Sequence, residues 1–402
     1  MIRTVLASTL LATSALVAAP ALADNHTIAP GEGAAERLLE ALILAEPGDT
    51  IMLEAGRYEL TEGLSLDVEG VTIRGAGMEG EKQSILDFTN QQGAGEGLLV
   101  TSDNVTLRDF AVENAKGDGI KSKDADNIIY HGLRVEWTAG PKASNGAYGI
   151  YPVESSNVLV QDSYVRGASD AGIYVGQSEN IIVRRNRVVE NVAGIEIENS
   201  NFAEVTENLT TKNTGGILVF DLPGLPKVGG GSVLVARNAI IDNNTDNFAP
   251  EGNIVASVPA GTGVMIMANT NVQVLENALV NNDTSHVMLI AYTQPYTDER
   301  YQPRPVDVVV NDNVYGSGGT KPDFPGGEML AAAVGGALGP VLTDGRHQYL
   351  SVGDTPEVVS LGLTEVGQPL TQANPTKIMA EPDAYAGLDP VVFPEGMEAR
   401  LQ

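Results

Sequence analysis

The amino-acid sequence predicts a single all-β domain, a parallel β-helix in which short strands wind into stacked coils of about 22 residues. The first observation is a repeat, because Gly172-Ile173-Tyr174 returns 22 residues later as Gly194-Ile195-Glu196. The second is the β-branched run at residues 180–183 that lies between the two copies. The third is the composition, with 45 Gly and only 5% aromatic residues, which is typical of tight, recurring turns. A repeat this short cannot bury its apolar side alone, so neighbouring coils must stack.

The first 23 residues predict a secretory signal peptide. Arg3 precedes an apolar run that reaches the small-residue pattern Ala21-Leu22-Ala23, and we expect cleavage before Asp24. The run is too short for a membrane anchor, and no later stretch has the length of a transmembrane helix. We therefore expect a periplasmic or secreted protein. Because the sequence has no cysteine, disulfide bonds add nothing to its stability.

We divide the mature chain into three parts: an N-terminal cap at residues 24–60, a β-helix at residues 61–316, and a C-terminal cap and tail at residues 317–402. In the first part, Leu38, Leu39 and Leu42 predict a helix that ends before Pro47. Beyond residue 316 the period fades into an irregular sequence rich in Gly and Pro. Caps at both ends prevent end-to-end pairing of coils, so we expect a monomer.

The charge of the chain limits its partners. A formal net charge of −28 repels polyanions at long range, so we expect no nucleic-acid partner. We expect no membrane partner either.

The Gly-Ile doublets place the coils in register. They form one column: Gly119-Ile120, Gly149-Ile150, Gly172-Ile173, Gly194-Ile195, Gly216-Ile217, Gly263-Val264 and, without glycine, His286-Val287. A second column predicts a ladder of hydrogen-bonded Asn side chains: Leu133, Ser163, Asn186, Asn208, Asn238, Asn277 and Asn313. Departures from this spacing place four insertions, at about 138–146, 221–231, 245–261 and 292–305. All four border the Gly-Ile strand, which is therefore predicted to form the floor of a functional groove.

Side chains alternate across a strand, so the neighbours of the inward-pointing Ile column point into this groove. The outward column reads Lys121, Tyr151, Tyr174, Glu196, Leu218, Met265 and Met288. The candidate catalytic residues are Lys121, Tyr151, Tyr174 and Glu196. The candidate substrate-binding residues are Asp118, Lys123, Trp137, Tyr148, Asp170, Glu198 and Phe220.

A groove with Lys, Tyr and carboxylate side chains suits β-elimination or epimerisation of uronate residues. A cation neutralises the uronate carboxylate, a base removes the C5 proton, and an acid protonates the departing oxygen. A Tyr or a Lys can serve as this base if a neighbouring cation lowers its pKa, and we expect Lys121 and Tyr151 to be such a pair.

Other interpretations of the same residues stay open. Glu196 and Glu198, with Asp170, can instead hold Ca²⁺. The two glutamates can also be the paired carboxylates of a glycoside hydrolase. The plainest interpretation is that all of these are solvated side chains on an exposed sheet.

Three further features have competing explanations. Met265, Met267, Met288 and His286 lie on two adjacent coils, where thioethers suit Cu(I) but methionine also packs beneath covering loops. Trp137, at the start of an insertion, either stacks on a sugar or anchors the loop. His131 maps to a different sheet, away from the groove, and we expect a surface residue rather than a base.

The stretch EALILAEPGDTIMLEAGRYEL, followed by VTIRGAG at residues 71–77, resembles the N-terminal cap of right-handed parallel β-helices of the pectin-lyase-like class. The resemblance implies a single-domain right-handed β-helix and says little about activity. The pattern is also similar to the β-helix alginate and chondroitin lyases, although their Arg-His-Gly run is missing here. The Asp-Pro-His-Asp motif of mannuronan epimerases is missing as well.

Two other resemblances point to a different role. The repeats resemble the periplasmic accessory β-helix of nitrous oxide reductase maturation. The whole chain resembles a family of exported bacterial parallel β-helix repeat proteins of unassigned activity that accompany c-type cytochromes.

The leading hypothesis is an exported protein that binds an acidic polysaccharide along the Gly-Ile face and cleaves or epimerises it, with Ca²⁺ as a candidate cofactor. The rival is a non-catalytic periplasmic binding or accessory protein, linked to cytochrome or copper-enzyme assembly.

Overall fold

A computed structural model describes residues 23–93, 95–353, 355, 357–378 and 384–402. In these ranges the chain winds into a right-handed β-helix whose coils each visit three parallel sheets in turn. We call them sheets 1, 2 and 3 in the order of the visit. The predicted signal peptide lies outside the described residues except for Ala23, and stays a prediction. Within the described ranges, no helix is long and apolar enough to cross a membrane.

Sheets 1 and 2 lie on consecutive sides of each coil. The strands of sheet 1 are Asn25–Ile28, Thr50–Leu53, Thr72–Arg74, Thr106–Arg108, Ile128–His131, Ser156–Gln161, Glu179–Arg184, Asn201–Thr206, Gly231–Ala236, Thr270–Leu275, Val306–Asn311 and Gln348–Val352. Those of sheet 2 are Gly56–Glu59, Ser84–Asp87, Ala111–Glu113, Arg134–Glu136, Tyr164–Arg166, Arg187–Val189, Leu209–Thr211, Ala239–Ile241, Ala278–Val280 and Val314–Tyr315.

Sheet 3 contains the predicted Gly-Ile strand of every coil. Its strands are Leu64–Leu66, Leu98–Val100, Ile120–Lys123, Tyr148–Val153, Ala171–Gly176, Ala193–Glu198, Gly215–Phe220, Thr262–Met267, Ser285–Ile290, Val341–Thr343, Val358–Ser360 and the antiparallel Thr376–Ile378. The helices are α1 (Ala34–Leu44) and α2 (Gly327–Ala333), with short 3₁₀ turns at Ile254–Ser257, Leu370–Gln372 and Glu398–Leu401.

The predicted register of sheet 3 is confirmed. Ile120 lies opposite Ile150, which lies opposite Ile173. The same register continues through Ile195, Ile217, Val264 and Val287. The spacing of the Gly-Ile doublets therefore determines which side chains point outward on this sheet.

The inside of the helix is a continuous apolar core. In one coil, Ile173 of sheet 3, Ile181 of sheet 1 and Val188 of sheet 2 are all completely buried. Because each coil adds the same kind of β-branched side chains, the core extends along the whole axis.

The predicted Asn ladder is confirmed at the turn between sheets 1 and 2. Asn186 Nδ2 donates to Asn208 Oδ1, and Asn208 Nδ2 to Asn238 Oδ1, each at 3.0 Å. The ladder continues to Asn313. A second ladder, which the sequence reasoning missed, stands at the turn between sheets 2 and 3 and contains Asn191, Asn213, Asn243 and Asn282.

The ends of the β-helix differ from the predicted boundaries. Helix α1 forms as expected, but strands of sheets 1 and 2 already lie within the predicted N-terminal cap. At the other end, Val341–Thr343 and Gln348–Val352 extend sheets 3 and 1 beyond residue 316. The inserted helix α2 separates these strands from the preceding coils and hides the period in the sequence.

The last described segment, residues 384–402, runs back along the outside of sheet 1 instead of covering the last coil. Met397 packs on Ile129, Leu159 and Ile182. Arg108 Nη1 donates to Leu401 O at 2.7 Å, far from the C-terminal coils. Burial of apolar side chains on the outer face of sheet 1 accounts for this path.

Candidate functional site

The outer face of sheet 3 carries the predicted side chains in the predicted order. Lys121 pairs with Tyr151, Tyr174 with Glu196, and Glu198 with Phe220. The four insertions leave the coil at the expected places, on either side of this sheet.

The insertions do not border an open groove, as the sequence suggested, but fold over the sheet from Tyr174 onward. Tyr174 is 5% exposed, Glu196 1% and Glu198 6%. The outward column turns apolar beyond these residues, with Leu218, Phe220, Met265, Met267 and Met288 all buried. Covering this apolar surface stabilises the folded loops, so most of the predicted floor is closed.

Specific contacts hold the covering loops in place. Asn253, in the insertion at 245–261, donates to Asp170 Oδ2 at 2.8 Å. Tyr301, in the insertion at 292–305, donates its hydroxyl to Asp221 O at 2.6 Å. Sequence reasoning missed Asn253, Asp221 and Tyr301 as site residues. Their position in or beside insertions could have marked them as candidates, but the sequence does not show which way a loop folds.

Three tyrosines form a compact group at the edge of the covered region. The centroid of the Tyr148 ring lies 4.5 Å from that of the Tyr151 ring and 4.6 Å from that of the Tyr174 ring. Tyr151 and Tyr174 meet edge to face at 4.9 Å. Tyr174 donates its hydroxyl to Glu198 Oε1 at 2.6 Å. Since Tyr148 and Tyr151 are only half-buried, their rings form the accessible wall of the group.

A row of carboxyl groups lies beside these rings, and burial raises the pKa of each. The pKa of Asp118 rises to about 6, and those of Asp170 and Glu198 to about 7. Burial, with the nearby Glu198 and Asp170, raises the pKa of Glu196 well above its ordinary value. Both carboxyl oxygens of Glu196 lack a hydrogen-bond partner. Glu196 is therefore held neutral at physiological pH, Asp170 and Glu198 titrate close to it, and Asp118 is largely ionised there.

Lys121 is the cation of this region, but it does not activate a tyrosine. Its Nζ lies 3.3 Å from Glu96, 3.9 Å from Asp118 and 4.8 Å from the centre of the Tyr151 ring. Burial and the surrounding carboxylates raise the pKa of Tyr151 to about 12. The predicted lowering of that pKa is wrong, because burial and the nearby acids raise it and Lys121 is already paired with two of those acids.

The other residues singled out in the sequence differ in their exposure and in their contacts. Lys123 is half-exposed and pairs with Glu154 at 3.5 Å. Trp137 is 5% exposed and its Nε1 donates to Ala115 O at 2.7 Å, so it anchors a loop and presents no face to a sugar. Phe220 is 1% exposed and packs beneath the loops, so it cannot contact a substrate on the surface. His131 pairs with Gln161 on sheet 1, away from the site as expected.

The structure lends no support to either metal alternative. In the described ranges, no group of three or more His, Asp or Glu side chains is arranged to hold a metal ion. Met265, Met267 and Met288 belong to the apolar cluster under the loops. His286 faces elsewhere, with Nδ1 at 3.2 Å from Asn282 Nδ2 and Nε2 at 3.2 Å from Gly316 O. Apolar burial accounts for the three methionines, and hydrogen bonding accounts for His286, without a metal.

Comparison with known proteins agrees with this architecture. A family model described as "Right handed beta helix region" matches residues 69–224. The A-module of mannuronan C-5 epimerase AlgE4 from Azotobacter vinelandii is 15% identical, with 82% of this chain and 94% of that chain covered and a TM-score of 0.54. The AlgE6 A-module of the same organism is 17% identical, with 80% of this chain and 88% of that chain covered and a TM-score of 0.51.

An alginate lyase from Paenibacillus sp. str. FPU-7 is 14% identical over 82% of this chain and 94% of that chain, with a TM-score of 0.48. No protein of curated function matches the sequence. Identities this low show the fold alone. The chain thus has the right-handed parallel β-helix fold that its resemblance to the pectin-lyase-like class implied.

Proposed function

We propose that the protein is a carbohydrate-active β-helix that binds a glycan at the uncovered end of sheet 3 and acts on it with carboxyl groups. The observation that carries this proposal is the pair Asp118 and Asp170, beside the accessible rings of Tyr148 and Tyr151. Both acids titrate close to neutral pH, at about 6 and about 7. The AlgE4 and AlgE6 modules, named as mannuronan epimerases, support a carbohydrate as the partner.

The two acids are suited to opposite roles. Asp170 is more deeply buried and keeps its proton to about pH 7, so it serves as the general acid on a departing glycosidic oxygen. Asp118, less buried and nearer to Lys121, ionises first and serves as the carboxylate partner. Pairs of carboxyl groups with separated pKa values are the usual apparatus of glycoside cleavage. Asn253 must release Asp170 for a substrate to reach it, so the loop at 245–261 gates the site.

The charge of the site favours a neutral glycan over the acidic polysaccharide expected from the sequence. Asp118, Asp170, Glu196 and Glu198 lie together, while Lys121 is already paired. A run of uronate carboxylates bound here meets like charge. β-Elimination has less support for the same reason, and because Tyr151 is a poor base.

The test is a panel of neutral glycans and uronate polymers, with reducing ends and the ultraviolet absorbance of unsaturated uronates measured in parallel. We expect reducing ends without new absorbance, and a narrow pH optimum between the pKa of Asp118 at about 6 and that of Asp170 at about 7. Asp118→Asn and Asp170→Asn should each reduce turnover at least about 100-fold. Glu59→Gln, at an exposed position on sheet 2, is the matched control.

Two outcomes would count against this proposal. New ultraviolet absorbance that survives in Asp170→Asn would restore β-elimination. Glycan binding without any product would favour the non-catalytic binding or accessory role, which the covering of Tyr174, Glu196 and Glu198 also favours.

We also propose that the protein is exported after cleavage before Asp24, on the strength of the pattern in residues 1–23. The N-terminal sequence of the protein recovered from periplasm or culture medium tests this directly. A protein that keeps Met1 and stays in the cytoplasm would contradict it.

A further inference from the structure

The C-terminal end of the covered face contains a second, partly open pocket, separate from the carboxyl row. A cavity of about 430 Å³ lies between the last strands of sheet 3 and the C-terminal cap. Its walls are largely apolar: Met265, Met288, Ile290, Phe324, Leu342 and Leu361. This volume is in the range of pockets that bind small molecules.

One charged side chain in the cavity wall is incompletely paired. Arg346 is 3% exposed, and its Nη2 donates to Gln368 O at 2.6 Å. Its Nη1 lies 3.5 Å from Asp344 Oδ2, which is longer than a good charge-assisted hydrogen bond. The Nε has no hydrogen-bond partner at all. A buried N–H without an acceptor is costly, so a guanidinium left in this state is poised to take an acceptor from a ligand.

Asp344 does not remove this capacity. Its oxygens already accept from the backbone N–H groups of Ala291 at 2.7 Å and Arg346 at 2.8 Å. The carboxylate is thus used to hold the loop after Ile290 and the turn that carries Arg346. Asp344 still balances the charge of the guanidinium through the 3.5 Å contact, so the group left unsatisfied is the Nε N–H.

We propose that this cavity binds a small amphiphile, an aliphatic acid whose chain lies along the methionine-lined wall and whose carboxylate pairs with Arg346. Methionine suits such a wall because its unbranched, polarizable side chain adapts to ligands of different shape. A sugar is disfavoured, because most of the side chains that line the pocket are apolar. The pocket shares no residue with the proposed glycan site, so a test of one proposal does not depend on the outcome of the other.

Titration calorimetry with dodecanoate below its micellar concentration tests the proposal, with dodecanol as the neutral ligand of equal chain length. We expect the full-length protein to bind dodecanoate at least about tenfold more tightly than dodecanol, because only the acid pairs with the guanidinium. Arg346→Gln should remove that preference and leave dodecanol binding unchanged.

Met288→Trp fills the cavity from sheet 3 without touching the charged pair, and should abolish binding of both ligands. Met329→Ala, at a 75% exposed position on α2, is the matched control and should bind as the parent protein does. Equal affinity for the acid and the alcohol, or undiminished dodecanoate binding by Met288→Trp, would overturn the proposal. If Arg346→Gln fails to fold, the comparison of the two ligands and the Met288 variant still decide.

Discussion

Two columns of buried polar side chains run along this β-helix, and they differ in how well they are satisfied. In the Asn ladder, each interior amide bonds both to the next Asn and to a backbone carbonyl, as Asn208 does with Asn238 and Val183 O. In the row beside sheet 3, Glu196 has no partner for either carboxyl oxygen. The ladder stabilises the fold, whereas the carboxyl row costs stability. A costly buried row is a reason to look for function there.

The largest effect should come from breaking the ladder. Asn208→Ala removes an acceptor from the backbone N–H and the side chain of Asn186, and a donor from Val183 O. We expect the free energy of unfolding to fall by about 3 kcal/mol, since buried groups lose their partners. Denaturant unfolding measures this. Asn201→Ala, at a half-buried position on the same coil, is the control, and an equal loss in both variants would mean that the ladder has no special role.

A smaller and opposite effect should follow from neutralising the carboxyl row. The folded-state pKa of Glu196 lies well above its ordinary value, so its contribution to stability is present at low pH. That contribution is lost as the pH rises above the ordinary pKa of a glutamate, about 4, toward the raised folded-state pKa. We therefore expect Glu196→Gln to stabilise the protein at pH ~8 and to change its stability little at pH ~4.

Melting temperatures across this pH range are the measurement, with Glu59→Gln as the control for the loss of one negative charge. A wild-type melting temperature that rises from pH ~5 to ~8 would contradict the sign of the pKa shifts.

The smallest effect should come from removing the hydrogen bond that Glu198 accepts from Tyr174, which leaves that Glu198 oxygen without this donor. Tyr174→Phe removes the hydroxyl that donates to Glu198 and helps to keep its pKa near about 7. We expect a loss of about 1 kcal/mol at neutral pH and a further rise of the Glu198 pKa. Denaturant unfolding at pH ~6 and ~8 should therefore show a larger loss at the higher pH. Tyr349→Phe, at a 79% exposed position, should show neither change, and a loss independent of pH in Tyr174→Phe would refute the assignment.

Much of the fold could be predicted from the sequence because the period repeats. Ile120, Ile150 and Ile173 align as predicted, and the outward neighbours Lys121 and Tyr151 follow from alternation alone. The second Asn ladder could have been predicted in the same way. Its members, Asn191, Asn213, Asn243 and Asn282, each follow an Asn of the first ladder at the same separation in the sequence. The coils beyond residue 316 could not be predicted, because α2 interrupts the repeat.

The outward order of side chains on sheet 3 was predicted, but the environment of those side chains was not. Alternation places Glu196 and Glu198 on the outer face, yet their burial depends on where the insertions at 245–261 and 292–305 fold back. Tyr151 illustrates the consequence. Its neighbour Lys121 was visible in the sequence, but the competing acids and the loss of solvent were not.

The coil, the register and the outward order of side chains follow from the amino-acid sequence, because each depends on contacts between neighbouring repeats at a fixed spacing. Three other properties become visible only in the folded protein: which part of sheet 3 stays open, how far the pKa values of its acids rise, and where Arg346 lines a pocket. These properties depend on loops and a C-terminal cap that lie outside the repeat. Their paths are set by the apolar surface they cover, not by the local sequence pattern.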